Sequence, residues 1–538
     1  MISKFFKRSS VLACLTATTF AAPFLLGSPA QAQVTAFKQA IAEAAARDAD
    51  VAAFYRSTGF EAIWTDAEAD DLARRKALIT ALNEAETHGL PVARYDKDGL
   101  MQRMRDARTT RDLGFLEVEI SKTFLQYARD IQTGALVPSR IDEGIVREIP
   151  YRDRKSYLIN VAGKSDPSEF MDSLVPATRE YRALLKQKLL MEQLIANGGW
   201  GPKVRAEALK PGAQGPDVVT LRNRLIAMGY IERNVKSVYD ADMEKAVQLF
   251  QSRHGLEVDG VAGEGTIEEI NVEPQMRLRS ILVALERERW LNRDRGDRHI
   301  LVNLADFHAR IIDHGHETFR TRSVIGKNVS DRRSPEFSDV MEHMVVNPSW
   351  FVPRSIATKE YLPKLQQNPN AVSHLVITDS RGRRVDRGSV DFTRFSTRNF
   401  PFDMRQPPSN QNALGLVKFM FPNKYNIYLH DTPQKSLFAR EVRAYSHGCI
   451  RLADPFDFAY ALLAAQEDEP EAYFQHVLKS GIETRVDLVQ PLPVHLIYRT
   501  AQTDEKGRIE YRRDVYGRDA KIWSALSDAG VALRDVQG

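Results

Sequence analysis

The fold and the chemistry are decided by two stretches of the chain, Ile427-Tyr428-Leu429-His430-Asp431-Thr432-Pro433 and Tyr445-Ser446-His447-Gly448-Cys449-Ile450-Arg451-Leu452. The first has an apolar strand pattern that ends at His430, and the second places His447 and Cys449 two residues apart. Because side chains alternate along an extended segment, we expect His447 to share a side with Cys449. His430 can reach the same point from a neighbouring strand.

These residue types suit thiol chemistry. A cysteine attacks as its thiolate, and a neighbouring imidazole lowers the cost of forming that thiolate. Gly448 permits close approach of the backbone, and the N–H groups of Gly448 and Cys449 can stabilise a developing oxyanion. The alternative is that Cys449 is a small buried apolar residue, which is the commoner environment of a free cysteine.

Metal binding is a weaker interpretation of the same residues. Zinc ligation by His430, His447 and Cys449 stays open as the alternative chemistry, although no His-Glu-x-x-His motif supplies an acidic base. A second group of histidines, at His308 and in the turn 313–316, is better explained by a hairpin between two strands. We therefore predict neither a metal nor another cofactor.

The chain resembles a known family through these motifs. Residues 427–452 are similar to the signature of L,D-transpeptidases of the YkuD type, and further matching runs precede them. Those runs are Val324-Ile325-Gly326-Lys327, Asn347-Pro348-Ser349-Trp350-Phe351-Val352-Pro353, Asn412-Ala413-Leu414-Gly415 and Lys418-Phe419-Met420-Phe421-Pro422-Asn423. They resemble the large multi-domain members from Gram-negative envelopes, so the resemblance covers essentially the whole mature chain.

The resemblance implies a role for each residue of the motif. Cys449 is the expected nucleophile, and His430 is the expected proton donor and acceptor, oriented by the backbone carbonyl of Asp431. His447 is expected to support the oxyanion site, and Gly448 to give it a backbone donor. The implied contacts with substrate come from Arg451, Ser446, Tyr445, Trp350 and Asn412.

The implied reaction joins two tetrapeptide stems of peptidoglycan. Cys449 attacks the carbonyl between diaminopimelate and the terminal D-alanine, and the side-chain amine of a second diaminopimelate resolves the thioester into a 3–3 cross-link. Two alternatives keep the chemistry but change the acceptor: an L,D-carboxypeptidase uses water, and an anchoring enzyme joins a lipoprotein to murein. The non-enzymatic alternative is a murein-binding structural protein.

The rest of the chain predicts a multi-domain α+β protein. Helical patterns dominate its first part, for example over residues 37–54 and 181–196. The long stretch between Trp350 and Asn412 resembles a capping insertion, which we interpret as a lid. The predicted domains are a helical scaffold domain at 33–205, a three-helix module at 206–272, a mainly β catalytic domain at 273–490 with its insertion at about 350–412, and a C-terminal extension at 491–538.

The module at 206–272 resembles the peptidoglycan-binding domain of cell-wall enzymes. The resemblance rests on Leu209-Lys210-Pro211-Gly212, Gln214-Gly215-Pro216-Asp217-Val218, Ala246-Val247-Gln248-Leu249-Phe250-Gln251 and Asp259-Gly260. Asp240 is expected to cap the second helix, and Thr266 with Glu269 to form a capping box for the third. The resemblance implies affinity for murein glycan or stem peptide.

The composition of the chain narrows the classes of protein that remain possible. The chain has 538 residues, of which 43% are hydrophobic and 27% charged, so it can build several cores and is neither fibrous nor disordered. The formal net charge is +4, and removal of the three cations Lys4, Lys7 and Arg8 leaves +1. This charge is too small to indicate nucleic acid as a partner.

Residues 1–32 have the pattern of a cleavable signal peptide. A basic start precedes an apolar run from Val11 to Leu26, and Ala30-Gln31-Ala32 supplies the cleavage pattern. A membrane anchor is the alternative, but the run is interrupted by Pro23 and is shorter than the ~20 residues that span a bilayer. Lipid attachment at Cys14 is a weaker alternative still. We therefore expect a periplasmic protein that meets the membrane only during export, with Cys449 as its sole thiol.

Overall fold

The computed structural model describes residues 29–533, with side chains from residue 35 onward. The predicted signal peptide lies outside the described residues, apart from its last four positions, which begin the first helix. Within residues 29–533, no helix combines the length and the apolar character needed to cross a membrane. The architecture confirms the multi-domain α+β class.

The N-terminal part is a helical domain with its own apolar core, in which Trp64, Phe124 and Ile131 are fully buried. Its helices are α1 (Pro29–Ala45), α2 (Ala49–Ser57), α3 (Ala69–Glu84), α4 (Lys97–Asp106), α5 (Thr110–Thr133), α6 (Arg154–Gly163), α7 (Pro167–Ser173) and α8 (Arg179–Ala196). The single helix predicted over residues 37–54 is wrong. Two helices replace it, because the side chain of Asp48 accepts the N–H of Val51 and so caps the start of a second helix, α2.

The next unit is the predicted three-helix module, with helices α9 (Pro216–Ala227), α10 (Ala241–His254) and α11 (Glu264–Ile270). The predicted cap of α10 is confirmed, because the Asp240 side chain accepts the N–H of Met243. The predicted capping box of α11 is wrong. The helix already begins after Gly263, and Thr266 lies inside it, where its hydroxyl accepts a hydrogen bond from Gln251.

Helix α12 (Pro274–Trp290) leads into a closed β-barrel. The strands are β1 (Arg298–Asn303), β2 (His308–Asp313), β3 (His316–Gly326), β4 (Phe337–Val346), β8 (Val417–Met420), β9 (Leu429–His430), β10 (Ala444–Ser446), β11 (Ile450–Leu452) and β12 (Thr484–Ile497), while β5–β7 belong to the insertion described below. Their order is β10-β3-β11-β9-β8-β4-β12-β1-β2, and β2 also pairs with β3, which closes the ring. Apolar side chains such as Ile300, Val302 and Phe419 fill its interior.

The barrel extends further along the chain than predicted. Strand β12 pairs with β4 and β1 as far as residues 496 and 497, so the predicted boundary between 490 and 491 cuts through a central strand. The register of β12 shifts between Asp487 and Leu492, which accommodates Pro491 and lets pairing continue. The hairpin predicted around turn 313–316 is confirmed by the antiparallel pairing of β2 with β3.

The insertion has a small sheet and core of its own. It contains β5 (Trp350–Phe351), the short helix α13 (Arg354–Ile356), a π-helical turn at Ala357–Tyr361, α14 (Leu362–Gln367), β6 (Val376–Thr378) and β7 (Asp403–Gln406). The sheet order is β5-β7-β6, and Leu365, Ile377 and Phe400 are buried beneath it. Two helices, α15 (Pro455–Leu463) and α16 (Pro470–Lys479), stand between β11 and β12, and β12 is followed by β13 (Ala501–Thr503), β14 (Ile509–Tyr511) and α17 (Arg518–Asp528).

A buried carboxylate joins these parts. Glu336 precedes β4, is 1% exposed, and accepts hydrogen bonds from Arg287 of α12 at 2.6 Å and Arg518 of α17 at 3.2 Å. Its backbone pairs with the loop between α5 and α6 of the scaffold domain, through the N–H of Val146 and the carbonyl of Gly144. One residue therefore ties the scaffold domain, the barrel and two helices together.

We expect Glu336→Ala to lower the free energy of unfolding by about 2–4 kcal/mol, because the two buried guanidinium groups would share one carboxylate fewer and keep only Asp519 and Asp142 as ion-pair partners. Glu342→Ala on the exposed side of β4 is the matched control, with an expected change within about 0.5 kcal/mol. Urea unfolding followed by near-ultraviolet circular dichroism measures both. Equal losses in the two variants would refute the role of Glu336.

Candidate active site

The site is created by the parallel pairing of β9 with β11, in which Leu429 lies opposite Ile450 and His430 opposite Arg451. Leu429 and Ile450 are fully buried in the barrel core. Because side chains alternate along each strand, the residues on the other face are His430, Arg451 and, one step before each strand, Tyr428 and Cys449. Contacts between the side chains of these four residues agree with this arrangement.

His430 is held in one orientation. Its Nδ1 hydrogen-bonds the backbone carbonyl of Asp431, and a carbonyl can only accept, so Nδ1 carries the proton and Nε2 has a lone pair. The side chain is 4% exposed. Burial, together with the positive charge of Arg451, lowers the pKa of His430 to about 3, although the carbonyls of Asp431 and Leu414 favour the charged form. The resting imidazole is therefore neutral.

Cys449 lies against Tyr428 on the same face. Its thiol donates to the backbone carbonyl of Asn426 at 3.5 Å. Burial raises the pKa of the Cys449 thiol to about 11, and hydrogen bonds from Tyr428 and the charge of Arg451 offset only part of this effect. The resting pair is thus a neutral thiol and a neutral imidazole. A proton must move from sulfur when the thiol attacks.

Tyr428 is the functional candidate that the sequence analysis missed. Its ring centroid is 5.7 Å from that of His430, and its hydroxyl and backbone both interact with the Cys449 sulfur. Burial and the nearby Cys449 raise the pKa of Tyr428 well above its usual value, so its hydroxyl remains a hydrogen-bond donor. The signal was present in the sequence, because Tyr428 precedes His430 by two residues on one strand.

The loop that carries Cys449 has an internal network of hydrogen bonds. The Ser446 hydroxyl accepts the N–H of Gly448 at 3.1 Å and donates to the carbonyl of Cys449 at 2.6 Å. Gly448 has a φ of +118°, and a Cβ there would lie 3.2 Å from Ile427. Two predictions are corrected. The predicted oxyanion donor at Gly448 is already engaged by Ser446, so the N–H of Cys449 is the remaining predicted donor. Ser446, a predicted substrate contact, is buried and holds the loop instead.

His447 connects this loop to the insertion. Its Nε2 lies 2.5 Å from a carboxylate oxygen of Glu360, in the π-helical turn, and the same oxygen accepts from Arg332 at 2.8 Å. The contacts of the two residues differ, because His447 binds Glu360 whereas Cys449 contacts Asn426 and Tyr428, and the positive φ of Gly448 interrupts the extended backbone between them. Zinc ligation by His430, His447 and Cys449 would require His447 to leave Glu360. Within residues 35–533, no group of three such side chains is placed to hold a metal.

Three of the predicted substrate contacts, Arg451, Tyr445 and Trp350, have different surroundings. Arg451 donates to Gln434 at 2.6 Å and has a buried Nε without a partner among the described residues, so it retains hydrogen-bonding capacity at the site. Tyr445 is 40% exposed next to Arg440, open to solvent at the edge of the loop. Trp350 is buried and packs with Ile356 and Leu414. It forms the wall between the insertion and Tyr428.

The structure corrects the prediction that Asn412 contacts substrate. It is fully buried, and its amide nitrogen donates to the backbone carbonyls of Pro348 at 3.0 Å and Pro407 at 3.0 Å, while its oxygen accepts the N–H of Leu414. It therefore stabilises the end of the insertion and does not face substrate. The Asp431 carboxylate is likewise structural, since it accepts the N–H of Leu416 at 2.9 Å and an ion pair from Lys435.

Comparisons with known proteins place these units in families. Residues 297–480 match the family model described as "L,D-transpeptidase catalytic domain", residues 214–270 match "Putative peptidoglycan binding domain", and residues 49–189 match "Scaffold domain". The barrel and its insertion are therefore a YkuD-type L,D-transpeptidase catalytic domain. The chain joins it to a peptidoglycan-binding domain and a scaffold domain.

A curated relative from Haemophilus influenzae, named "Putative L,D-transpeptidase", is 33% identical over 225 residues, which cover 41% of this chain and 45% of the relative. The chain thus spans less than half the length of that relative. Two solved structures were also matched. An L,D-transpeptidase from Xylanimonas cellulosilytica has 14% identity, 55% coverage of this chain, 100% of its own and a TM-score of 0.16. A fused zinc-dependent amidase/peptidase/peptidoglycan-binding protein from Clostridium acetobutylicum has 12% identity, 54% coverage of this chain, 100% coverage of its own chain and a TM-score of 0.15. At these TM-scores neither structure carries an argument.

The neutral resting pair predicts how alkylation of Cys449 depends on pH. Only the thiolate reacts with iodoacetamide, and a pKa near 11 makes the thiolate fraction rise about tenfold per pH unit. We expect that slope between pH 6 and 9, measured by mass spectrometry of the peptide containing Cys449, and no change of slope in His430→Ala. A rate that levels off below pH 8 would show a preformed thiolate–imidazolium pair.

The contact between Glu360 and His447 predicts that the insertion helps to hold the loop that carries Cys449. Both side chains are about one-third exposed, at 31% and 35%, so the contact is worth about 1 kcal/mol, or about a fivefold population change. We expect Glu360→Ala to raise KM for a peptide substrate about three- to tenfold, with little change in melting temperature. Lys359→Ala breaks the more exposed ion pair with Asp331 and is the matched control. An unchanged KM for Glu360→Ala would contradict the coupling.

Proposed function

We propose that the protein is a periplasmic peptidoglycan L,D-transpeptidase that forms 3–3 cross-links through a thioester on Cys449. One observation carries the proposal: a thiol and a neutral imidazole, the latter held through Nδ1 by the carbonyl of Asp431, share one face of neighbouring strands in a domain of this family. The peptidoglycan-binding domain in the same chain supports murein as the substrate. The sequence pattern of residues 1–32 supports export.

The first half-reaction releases D-alanine. As Cys449 Sγ attacks the carbonyl of diaminopimelate, its proton moves to Nε2 of His430, and the oxyanion accepts from the N–H of Cys449. The carbon–nitrogen bond to D-alanine then breaks, and His430 returns the proton to the departing amine. Both groups begin and end neutral, which suits a site where burial opposes charge.

The second half-reaction transfers the acyl group. The side-chain amine of a second diaminopimelate attacks the thioester and gives a proton to His430, and the carbon–sulfur bond breaks. The thiolate regains that proton, so the enzyme returns to its starting state. Tyr428 can donate to the sulfur when it carries charge, because its hydroxyl remains protonated. Water or the amine of a lipoprotein could replace the acceptor without any change in the first step.

The test is mass spectrometry of the products formed from a diaminopimelate-containing disaccharide-tetrapeptide. We expect a cross-linked dimer that has lost one D-alanine, and a loss of at least 10³-fold in rate for Cys449→Ala and His430→Ala, because nucleophilic and acid–base catalysis both disappear. His476→Ala, on α16 outside the site, is the matched histidine control. Tripeptide as the sole product would favour the carboxypeptidase. Unaltered turnover in Cys449→Ala would contradict the assignment of Cys449 as the nucleophile.

A further inference from the structure

The scaffold domain contains a cavity lined by cations. The cavity measures about 500 Å³, within the size range of small-ligand sites, and lies between α5 and the segment that enters α6. Its lining residues are Lys122, Leu125, Gln126, Arg129, Thr133, Tyr151, Arg152, Arg154 and Tyr157. Four of them are basic and none is acidic.

The charges of this cavity are unequally compensated. Arg154 is paired with Asp48 and Asp50. Within residues 35–533, no carboxylate forms an ion pair with Arg129, Arg152 or Lys122 (the ammonium of Lys122 donates to the carbonyl of Ala44 at 2.9 Å). Lys122 interacts electrostatically with Asp48, but the four cations of the cavity still outnumber the two carboxylates, Asp48 and Asp50, that face them. This excess of positive charge around one concave space creates a local positive potential, which raises the local concentration of anions.

The two arginines are held in place by neutral groups. Arg129 lies over the ring of Tyr151 at 5.1 Å, and its buried Nε has no partner among the described residues. The carboxamide oxygen of Gln132, when turned toward Arg152, accepts from both terminal nitrogens at 3.1 and 3.2 Å. Neither contact neutralises charge. The guanidinium groups are thus positioned but retain the capacity to bind carboxylates in the two-point geometry that arginine favours.

We infer that this cavity binds a peptide that carries several carboxylates, namely the stem peptide of peptidoglycan. The choice of stem peptide rests on the proposed function. Such a stem presents carboxylates at intervals along a short chain, which matches separate cations better than a single compact anion does. The hydroxyls of Thr133 and Tyr157 are engaged by the carbonyl of Arg129 and by Gln132, so Tyr151 is the neutral polar group that this lining adds, and Leu125 adds an apolar surface. The scaffold domain would then hold a murein strand apart from the catalytic site.

The test measures binding to the full-length protein by isothermal titration calorimetry, with the tripeptide L-alanyl-γ-D-glutamyl-diaminopimelate as the probe. This probe lacks the terminal D-alanine and so contains no scissile bond. We expect Arg129→Ala/Arg152→Ala to weaken binding at least tenfold. Arg129→Lys/Arg152→Lys should give an intermediate loss, because the charge stays but the planar fork is lost. Lys164→Ala/Lys186→Ala removes two cations of the scaffold domain outside the cavity and should change binding less than twofold.

Three results would overturn the inference: no binding of the tripeptide, equal binding in every variant, or inorganic phosphate that binds as tightly and displaces the peptide. Circular dichroism of each variant checks its fold, and the lysine variant decides if the alanine variant does not fold. Turnover of the tetrapeptide by the unmodified protein is measured on the same sample. If turnover is absent but tripeptide binding depends on the two arginines, the acyl-transfer proposal fails and the cavity site stands. Turnover with arginine-independent binding gives the reverse conclusion.

Discussion

The parallel pairing of β9 with β11 is the constraint on which the proposed chemistry depends. These strands contain only Leu429–His430 and Ile450–Leu452, yet their inner side chains are fixed by the barrel core. A shift of one residue in either strand would turn His430 or Cys449 toward that core, because side chains alternate. The large apolar interior therefore positions two polar groups that belong to different parts of the chain.

Burial sets the electrostatic character of the site. It raises the pKa of Cys449 and lowers that of His430, so both groups are neutral at rest. A neutral pair reacts slowly with alkylating agents near neutral pH, because little thiolate is present, and it becomes an effective nucleophile when the thiol proton can move to the imidazole. The insertion contributes to this environment. Trp350 packs beside Tyr428, and Glu360 contacts His447, so the insertion touches both strands of the site.

The sequence was sufficient for the local features whose cause is local. The hairpin around 313–316 and the cap at Asp240 were both predicted correctly, because turn and cap preferences act within a few residues. The catalytic domain was recognised from its motif, since Cys449 and His430 are reactive types in a specific spacing. Tyr428 belongs to the same motif, but it was not predicted as a site residue because tyrosine is not a typical nucleophile or general base.

What the sequence could not supply was the distribution of burial and long-range pairing. Asn412 and Ser446 resemble substrate ligands as isolated polar residues, but their side chains form hydrogen bonds with backbone groups, for Asn412 including the distant carbonyl of Pro348. Two prolines at 491 and 493 interrupt a strand pattern, and only the partner strands show that β12 continues through them. The link from His447 to Glu360 spans 87 positions, beyond the range of any local pattern.

The central claim is that Cys449 carries the acyl group. The most direct measurement is intact-protein mass spectrometry, followed by peptide mapping, of the protein mixed with tetrapeptide stem and quenched in acid within seconds. The account predicts an added mass equal to the stem without its D-alanine, located on the peptide that contains Cys449 and absent in Cys449→Ser. Product formation without any such adduct, or an adduct on another residue, would contradict it.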